Sequence, residues 1–227
     1  MIVSHKHKFI CLNPPKTGSG FREEVLEGHS DWSIINTKGV DIRHRNVKRA
    51  YDFLKERGCN KDDYYWITFV RNPWTRAESF FNQVANEILN PNMYTGEKSP
   101  LNKLMTEKEL FKKETFKSFL RKEGMIQYPL PSQNIFYKKP NGEYIDYIGQ
   151  LEKMNHDLLF IGNKFNLNLP IEKVQKQKIN PSTGRENNTI SFHDKIRELW
   201  NEENIETIRN LDEETINLKN YQPPKHD

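Results

Sequence analysis

Tyr64-Tyr-Trp-Ile-Thr-Phe-Val70, followed directly by Arg71-Asn72-Pro73, is the stretch that decides the fold of this chain. Aromatic and β-branched residues fill its first part and predict a buried strand. Asn72 is a favourable N-cap and Pro73 suits the first helical position, so a helix through about Leu89 is expected. A strand that runs straight into a helix is typical of α/β proteins.

A second strand-to-helix junction is predicted near the N-terminus. Lys8-Phe-Ile-Cys-Leu-Asn13 predicts a short strand, the first of the sheet, and a helix is expected from Ser19. Further strands are predicted at Trp32–Asn36 and Glu143–Gly149, and further helices over residues 44–57, over 151–165, and from Phe192 to Leu218 with a break near Leu211–Asp212. This alternation predicts an α/β protein in which helices flank both faces of a mainly parallel central sheet.

The length of 227 residues suits one domain spanning residues 1–227. Hydrophobic residues make up 35% of the chain, which suffices for a single core. Residues 90–140 include a long polar excursion, and residues 172–189 are basic and rich in turn-forming residues. We expect the first of these segments to lie on the surface and the second to form an ordered loop over a ligand or a mobile loop.

Composition argues against several classes of protein. The net charge is only +4, without the dense basic stripe of a nucleic-acid-binding domain, and suits a polyanionic small ligand equally well. The two cysteines lack metal-ligand spacing, and Cys11 lies in an apolar run that predicts a core thiol. No apolar stretch approaches the ~20 residues of a membrane span, so a cytoplasmic location is expected. The oligomeric state is not predicted.

The first chemical motif is Pro15-Lys-Thr-Gly-Ser-Gly-Phe21, which joins the first predicted strand to its helix. Small residues there let backbone N–H groups approach an anion, and the helix N-terminus adds partial positive charge. Lys16 supplies a full charge, and Thr17 and Ser19 supply hydroxyl donors. The Walker A pattern is missing because no glycine precedes Lys16 at the required distance. The motif predicts another kind of phosphate or sulfate loop, the alternative being an ordinary strand-to-helix turn.

The second motif runs from the end of the central strand into the helix, as Val70-Arg-Asn-Pro-Trp-Thr-Arg-Ala-Glu-Ser79. Arg71 follows the strand, and its guanidinium is able to bind a phosphate through two parallel hydrogen bonds. The Ser79 hydroxyl, about two turns into the helix, adds a further donor. The alternative is that Arg71 pairs with a local carboxylate and that Ser79 is solvated.

Taken in this order, the two motifs resemble the carbohydrate sulfotransferases that use 3′-phosphoadenosine-5′-phosphosulfate (PAPS), a family that includes heparan, chondroitin and dermatan enzymes and small bacterial relatives. The resemblance covers most of residues 8–220 and implies a P-loop-like three-layer fold. It is loose over 90–140, the region in which family members differ with their acceptor. Lys178-Ile-Asn-Pro-Ser182 is similar to a family loop near the nucleotide. The resemblance implies PAPS as cofactor, no metal, and a hydroxyl acceptor that is expected to be a carbohydrate.

The resemblance also implies roles for individual residues. Lys16 is expected to act catalytically on the bridging or sulfuryl oxygens, the rest of the first motif to hold the 5′-phosphate, and Arg71 with Ser79 to hold the 3′-phosphate. The predicted cofactor-binding residues are Pro15, Lys16, Thr17, Gly18, Ser19, Gly20, Phe21, Arg71, Ser79, Asn180, Ser182 and Arg185. The basic residues Lys173 to Arg185 either close over the nucleotide or form a solvated surface.

His44, in Arg43-His-Arg-Asn46, is the candidate general base, since a neutral imidazole accepts a proton near pH 7. The alternative is a surface histidine at a helix start. His5 and His7 are predicted to be solvated, and Gln133 is a candidate contact for the acceptor.

Two other functions compete with sulfuryl transfer. A P-loop-like kinase of small molecules needs a Walker lysine and an acid that holds Mg²⁺, neither of which is found in the sequence. A non-catalytic module that binds a sulfated glycan or nucleic acid through residues 173–185 has no need of a base such as His44.

Overall fold

The computed structural model of the protein describes residues 1–32, 44–90, 105–123, 130–170, 172 and 191–224. The chain divides into two compact units, the first formed by Met1–Arg71 with Gln133–Ile179 and the second by Asn72–Ser132 with Asn180–Asp227. The single-domain organisation of residues 1–227 stays a prediction. Along the described residues the helices are α1 (Ser19–Leu26), α2 (Val47–Lys55), α3 (Pro73–Leu89), α4 (Glu107–Leu110), α5 (Lys113–Leu120), α6 (Met154–Phe165), α7 (His193–Arg197) and α8 (Glu202–Lys219).

The first unit contains an open, four-stranded sheet with the order β1–β2–β3–β4. Its strands are β1 (Ile2–Ser4), β2 (Phe9–Cys11), β3 (Tyr65–Val70) and β4 (Tyr147–Gln150). The strands β2, β3 and β4 are parallel, which confirms the predicted mainly parallel sheet, whereas β1 is antiparallel to β2. The prediction that Lys8–Asn13 holds the first strand is wrong, because Ile2–Ser4 precedes it. The strand expected at Glu143–Gly149 begins only at Tyr147.

Helices cover both faces of this sheet. Alternate strand residues, among them Cys11 and Ile67, enter a buried core with residues of α1 and α6 such as Val25. Trp66 points to the opposite face, where its ring lies 4.9 Å from the ring of Tyr51 on α2. The α/β class is therefore confirmed. Of the predicted strand at Trp32–Asn36, Trp32 forms a bridge to Val3, and residues 33–36 lie outside the described residues.

The second unit is helical along its described residues, and α3 supplies much of its core. Asn72 caps the helix by accepting hydrogen bonds from the N–H groups of Trp74 and Thr75, and Pro73 is its first residue, as predicted. Trp74 is buried, and its indole N–H donates to the carbonyl of Ile205 at 3.2 Å.

A buried ion pair accompanies the break in α8. Asp212 has non-helical angles (φ −126°, ψ 27°), which confirms the break predicted near Leu211–Asp212. Its carboxylate lies 3.5 Å from Nη1 of Arg76 and accepts a hydrogen bond of 2.9 Å from Ser132. Arg76 also donates to the carbonyl of Pro131 at 2.8 Å. Because both charged side chains are almost fully buried, loss of either one would leave an uncompensated charge inside this unit.

Gly149 in β4 leaves no room for a side chain. A Cβ atom there would lie 2.8 Å from the ring of Phe69 and 2.9 Å from Oδ2 of Asp157, whose carboxylate accepts hydrogen bonds from Gln150 N and Tyr147 OH. We expect Gly149→Ala to lower the free energy of unfolding by about 1–3 kcal/mol through overpacking. Urea unfolding measures this change. Gly28→Ala, where nothing lies within 4 Å, is the control, and equal effects of the two substitutions would contradict the expectation.

Candidate functional site

The two sequence motifs lie next to each other because β2 and β3 are parallel neighbours. Cys11 pairs with Ile67, and the ladder continues through the hydrogen bond from Leu12 N to Ile67 O at 2.8 Å. Both strands therefore end at the same edge of the sheet, where α/β proteins commonly bind ligands. Nη1 of Arg71 donates to the carbonyl of Lys16 at 3.3 Å. The predicted anion loop and the predicted phosphate-binding arginine are thus in direct contact.

The loop backbone is left-handed at two positions, a feature found in anion-binding turns. Lys16 and Gly18 both adopt left-handed conformations, with φ of 65° and 76°. Gly18 is the N-cap of α1 and has no side chain that could cap the helix. Successive N–H groups in such turns form a concave donor surface, and the start of the helix adds partial positive charge.

The side chains of this loop are used in different ways. Thr17 is fully buried, and its hydroxyl donates to the carbonyl of Pro14 at 2.8 Å. A hydroxyl has one proton, so in this conformation Thr17 offers an anion its backbone N–H and not the predicted hydroxyl. Phe21 packs against the core, whereas Ser19 is partly exposed at the start of α1.

Asn13 connects the loop, helix α1 and His44. Its Oδ1 accepts from Nη2 of Arg22 at 3.1 Å, and its Nδ2 donates to Oε1 of Glu23 at 2.9 Å. Its backbone carbonyl lies 2.7 Å from Nδ1 of His44. Since a carbonyl only accepts, Nδ1 is the protonated nitrogen, and a neutral imidazole then has its basic lone pair on Nε2.

Arg22 is a site residue that the sequence reasoning missed. Its guanidinium is fully buried beneath the loop, donates from Nη1 to the carbonyl of Thr17, and lies 4.6 Å from the centre of the Phe69 ring. The available signal was its spacing, because Arg22, Val25 and Leu26 follow the i, i+3, i+4 pattern of one helix face. A charged residue on an otherwise apolar helix face predicts a buried charge, and Arg22 could have been identified in this way.

Gln133 positions Arg71. Its amide exchanges two hydrogen bonds of 2.9 Å with the backbone of Arg71, donating to the carbonyl and accepting from the N–H. Gln133 is fully buried, so the expected contact between this side chain and an acceptor is not available in this conformation. His5, predicted to be solvated, is half-buried, and its Nδ1 lies 2.6 Å from the hydroxyl of Tyr64.

Of the predicted cofactor-binding residues other than Arg71 and the loop, the structure describes Ser79, which lies on α3 in the second unit and is buried. Asn180, Ser182 and Arg185 lie outside the described residues, as do all of residues 173–190. In the part of the chain that is described, no group of three His, Cys, Asp or Glu residues has the arrangement of a metal site. None of the described helices is both long and apolar enough to cross a membrane.

Comparison of the chain with known protein families, with curated proteins and with solved structures found no match.

Gly18 is the position at which a methyl group would test the loop. A Cβ atom would lie 2.7 Å from Cδ1 of Leu151 and 2.9 Å from Cε of Met154, in addition to the strain of a positive φ. Gly58 has a similar φ of 68° with nothing within 4 Å, so Gly58→Ala measures the backbone strain alone. We expect Gly18→Ala to cost about 1 kcal/mol more than Gly58→Ala in urea unfolding. Equal costs would show that the loop has room to adapt.

Proposed function

We propose that the chain is a PAPS-dependent sulfotransferase that transfers the sulfuryl group of PAPS to a hydroxyl, with a carbohydrate as the expected acceptor. The observation that carries this proposal is the contact from Arg71 to the carbonyl of Lys16, which joins the two motifs on which the family resemblance depends. Two cationic strand ends side by side suit a ligand with two phosphate groups. A P-loop-like fold belongs to the same proposal.

Each end of the nucleotide has its own residues in this proposal. The 5′-phosphosulfate lies in the loop of residues 15–21 and accepts hydrogen bonds from backbone N–H groups, with the Lys16 ammonium at the bridging or sulfuryl oxygens. Arg71 holds the 3′-phosphate, which distinguishes PAPS from an adenylyl sulfate without that group. The assignments of Ser79, Asn180, Ser182 and Arg185 to the nucleotide depend on the resemblance alone.

The reaction is an in-line displacement at sulfur, comparable to phosphoryl transfer. The acceptor oxygen forms a bond to sulfur while the bond from sulfur to the bridging oxygen breaks, and adenosine 3′,5′-bisphosphate leaves. Lys16 stabilises the negative charge that develops on the bridging oxygen. The acceptor hydroxyl loses its proton to Nε2 of His44, the nitrogen that is basic when Nδ1 donates to Asn13. The chemistry requires positioning and charge stabilisation, which residues of this edge are able to supply.

Thermal unfolding tests the ligand class. Adenosine 3′,5′-bisphosphate at about 100 times its Kd should stabilise the protein by about 2.7 kcal/mol in EDTA-treated buffer, because it binds only the folded state. For a chain of this size the melting temperature should rise by about 5–10 °C. Stabilisation by ATP with Mg²⁺ and not by the bisphosphate would contradict the proposal and favour a small-molecule kinase.

Transfer of labelled sulfate from PAPS across a panel of glycans and small alcohols tests the catalytic roles. We expect Lys16→Ala to lower kcat about 100-fold or more, since it removes a charge that acts on the leaving oxygen. We expect His44→Ala to lower kcat about 100-fold and to leave the affinity for adenosine 3′,5′-bisphosphate unchanged.

His29→Ala is the matched control, because His29 lies three residues after the end of α1 and its Nε2 is 3.2 Å from the carbonyl oxygen of Asn168. It should retain the activity of the unmodified protein. Full activity of His44→Ala would remove the base assignment alone, whereas full activity of Lys16→Ala would contradict the assignment of the loop.

A further inference from the structure

Arg22 is a buried cation whose hydrogen-bond partners are all neutral. Its side chain has no exposed surface, and its guanidinium donates to the carbonyl of Thr17, to the hydroxyl of Thr17 at 3.1 Å and to Oδ1 of Asn13 at 3.1 Å. Its Nε is buried without a hydrogen-bond partner. Within the described ranges, no carboxylate forms an ion pair with this guanidinium.

The ionisable groups next to Arg22 do not neutralise it at contact distance. Oε1 of Glu23 accepts a hydrogen bond from Asn13 and not from Arg22. Burial raises the pKa of the Cys11 thiol, which therefore stays uncharged at neutral pH. The Phe69 ring offers its π face at 4.6 Å, which attracts a cation but carries no net charge. Burial also lowers the pKa of Arg22, yet a guanidinium keeps its proton in proteins.

A buried charge without a direct ion pair is costly even with the carboxylate of Glu23 nearby, so its position needs a physical reason. Three hydrogen bonds from Arg22 reach the anion loop or the residue that leads into it. The peptide bonds of the described residues are trans, so a carbonyl and the N–H group that follows it point in opposite directions. Because Arg22 holds the carbonyl of Thr17, the N–H of Gly18 points away from the guanidinium. Arg71 orients the N–H of Thr17 in the same manner through the carbonyl of Lys16.

We propose that Arg22 is a positioning residue for a tetrahedral oxyanion in the loop: it sets the direction of the loop N–H groups from beneath, and the bound anion adds negative charge close to this buried cation. The identity of that group as the 5′ end of PAPS rests on the proposed function, whereas the recognition chemistry is shared by free sulfate and phosphate. Arg22 does not touch the ligand in this arrangement and acts through the loop.

The experiment compares Arg22→Met, which removes charge and donors at similar volume, with Arg22→Lys, which keeps the charge but not the forked geometry. Calorimetry measures the Kd of inorganic sulfate, of adenosine 3′,5′-bisphosphate and of adenosine 3′-monophosphate, which has no group for the loop. We expect Arg22→Met to raise the Kd of sulfate and of the bisphosphate at least about tenfold and to change the Kd of the 3′-monophosphate by no more than about twofold. The Kd values of Arg22→Lys should lie between those of the unmodified protein and those of Arg22→Met. A purely structural role would raise the Kd of all three ligands alike.

Arg57→Met is the matched control, because Arg57 belongs to the same unit, lies over the ring of Phe53 at 3.7 Å and carries the same charge away from the loop. It should bind sulfate with the affinity of the unmodified protein. Hydrogen exchange of the unmodified protein locates the sulfate, which should slow exchange of the amides of residues 17–21.

Sulfate binding by Arg22→Met at the original affinity, or exchange protection confined to other segments, would overturn the proposal. If Arg22→Met does not fold, Arg22→Lys decides, because unchanged affinity for sulfate would rule out the positioning role and a several-fold loss would support it. Sulfate protection of the loop without binding of the bisphosphate would leave the role of Arg22 intact and contradict PAPS as the ligand, so the two proposals fail separately.

Discussion

The parallel pairing of β2 with β3 is the constraint on which the candidate site depends. The register Cys11↔Ile67, extended by the bond from Leu12 to Ile67, brings both strands to the same edge of the sheet. An antiparallel pairing would send the loop after β2 and the arginine after β3 to opposite edges. The contact between Arg71 and Lys16 is therefore a result of the backbone hydrogen bonding between β2 and β3.

The sequence was most informative where local chemistry determines structure. The junction at Asn72 and Pro73 was predicted because a cap and a proline act within one turn, and the strand before it because its residues suit a buried pleat. Strand β1 was missed, since three residues are too few for a periodic pattern. In the turn after it, Lys8 has φ 56°, a conformation that is uncommon for lysine and therefore not predicted from the sequence.

Within the site, the sequence identified the motif but not the way its side chains are used. Arg22 was not recognised because charged residues are rarely buried, so that a basic side chain in an amphipathic helix is assigned to the surface by default. The same reasoning overlooked Asn13, whose amide and carbonyl join Arg22, Glu23 and His44. Such networks depend on tertiary contacts, and their members stabilise one another when all are satisfied. The direction of Gln133 toward Arg71 is a further example, because the two are separated by 62 positions along the chain.

Lys16 combines a full charge with a backbone angle that suits glycine. Its φ of 65° costs a non-glycine residue about 1–2 kcal/mol relative to a right-handed conformation. A chain selected for thermal robustness alone would favour glycine or asparagine at this position. Under the proposed function, the lysine is an instance of the trade-off between stability and activity, in which a strained residue is kept for its ammonium group. Stabilising this protein by removing backbone strain would then act on the residue to which the proposal assigns the catalytic charge.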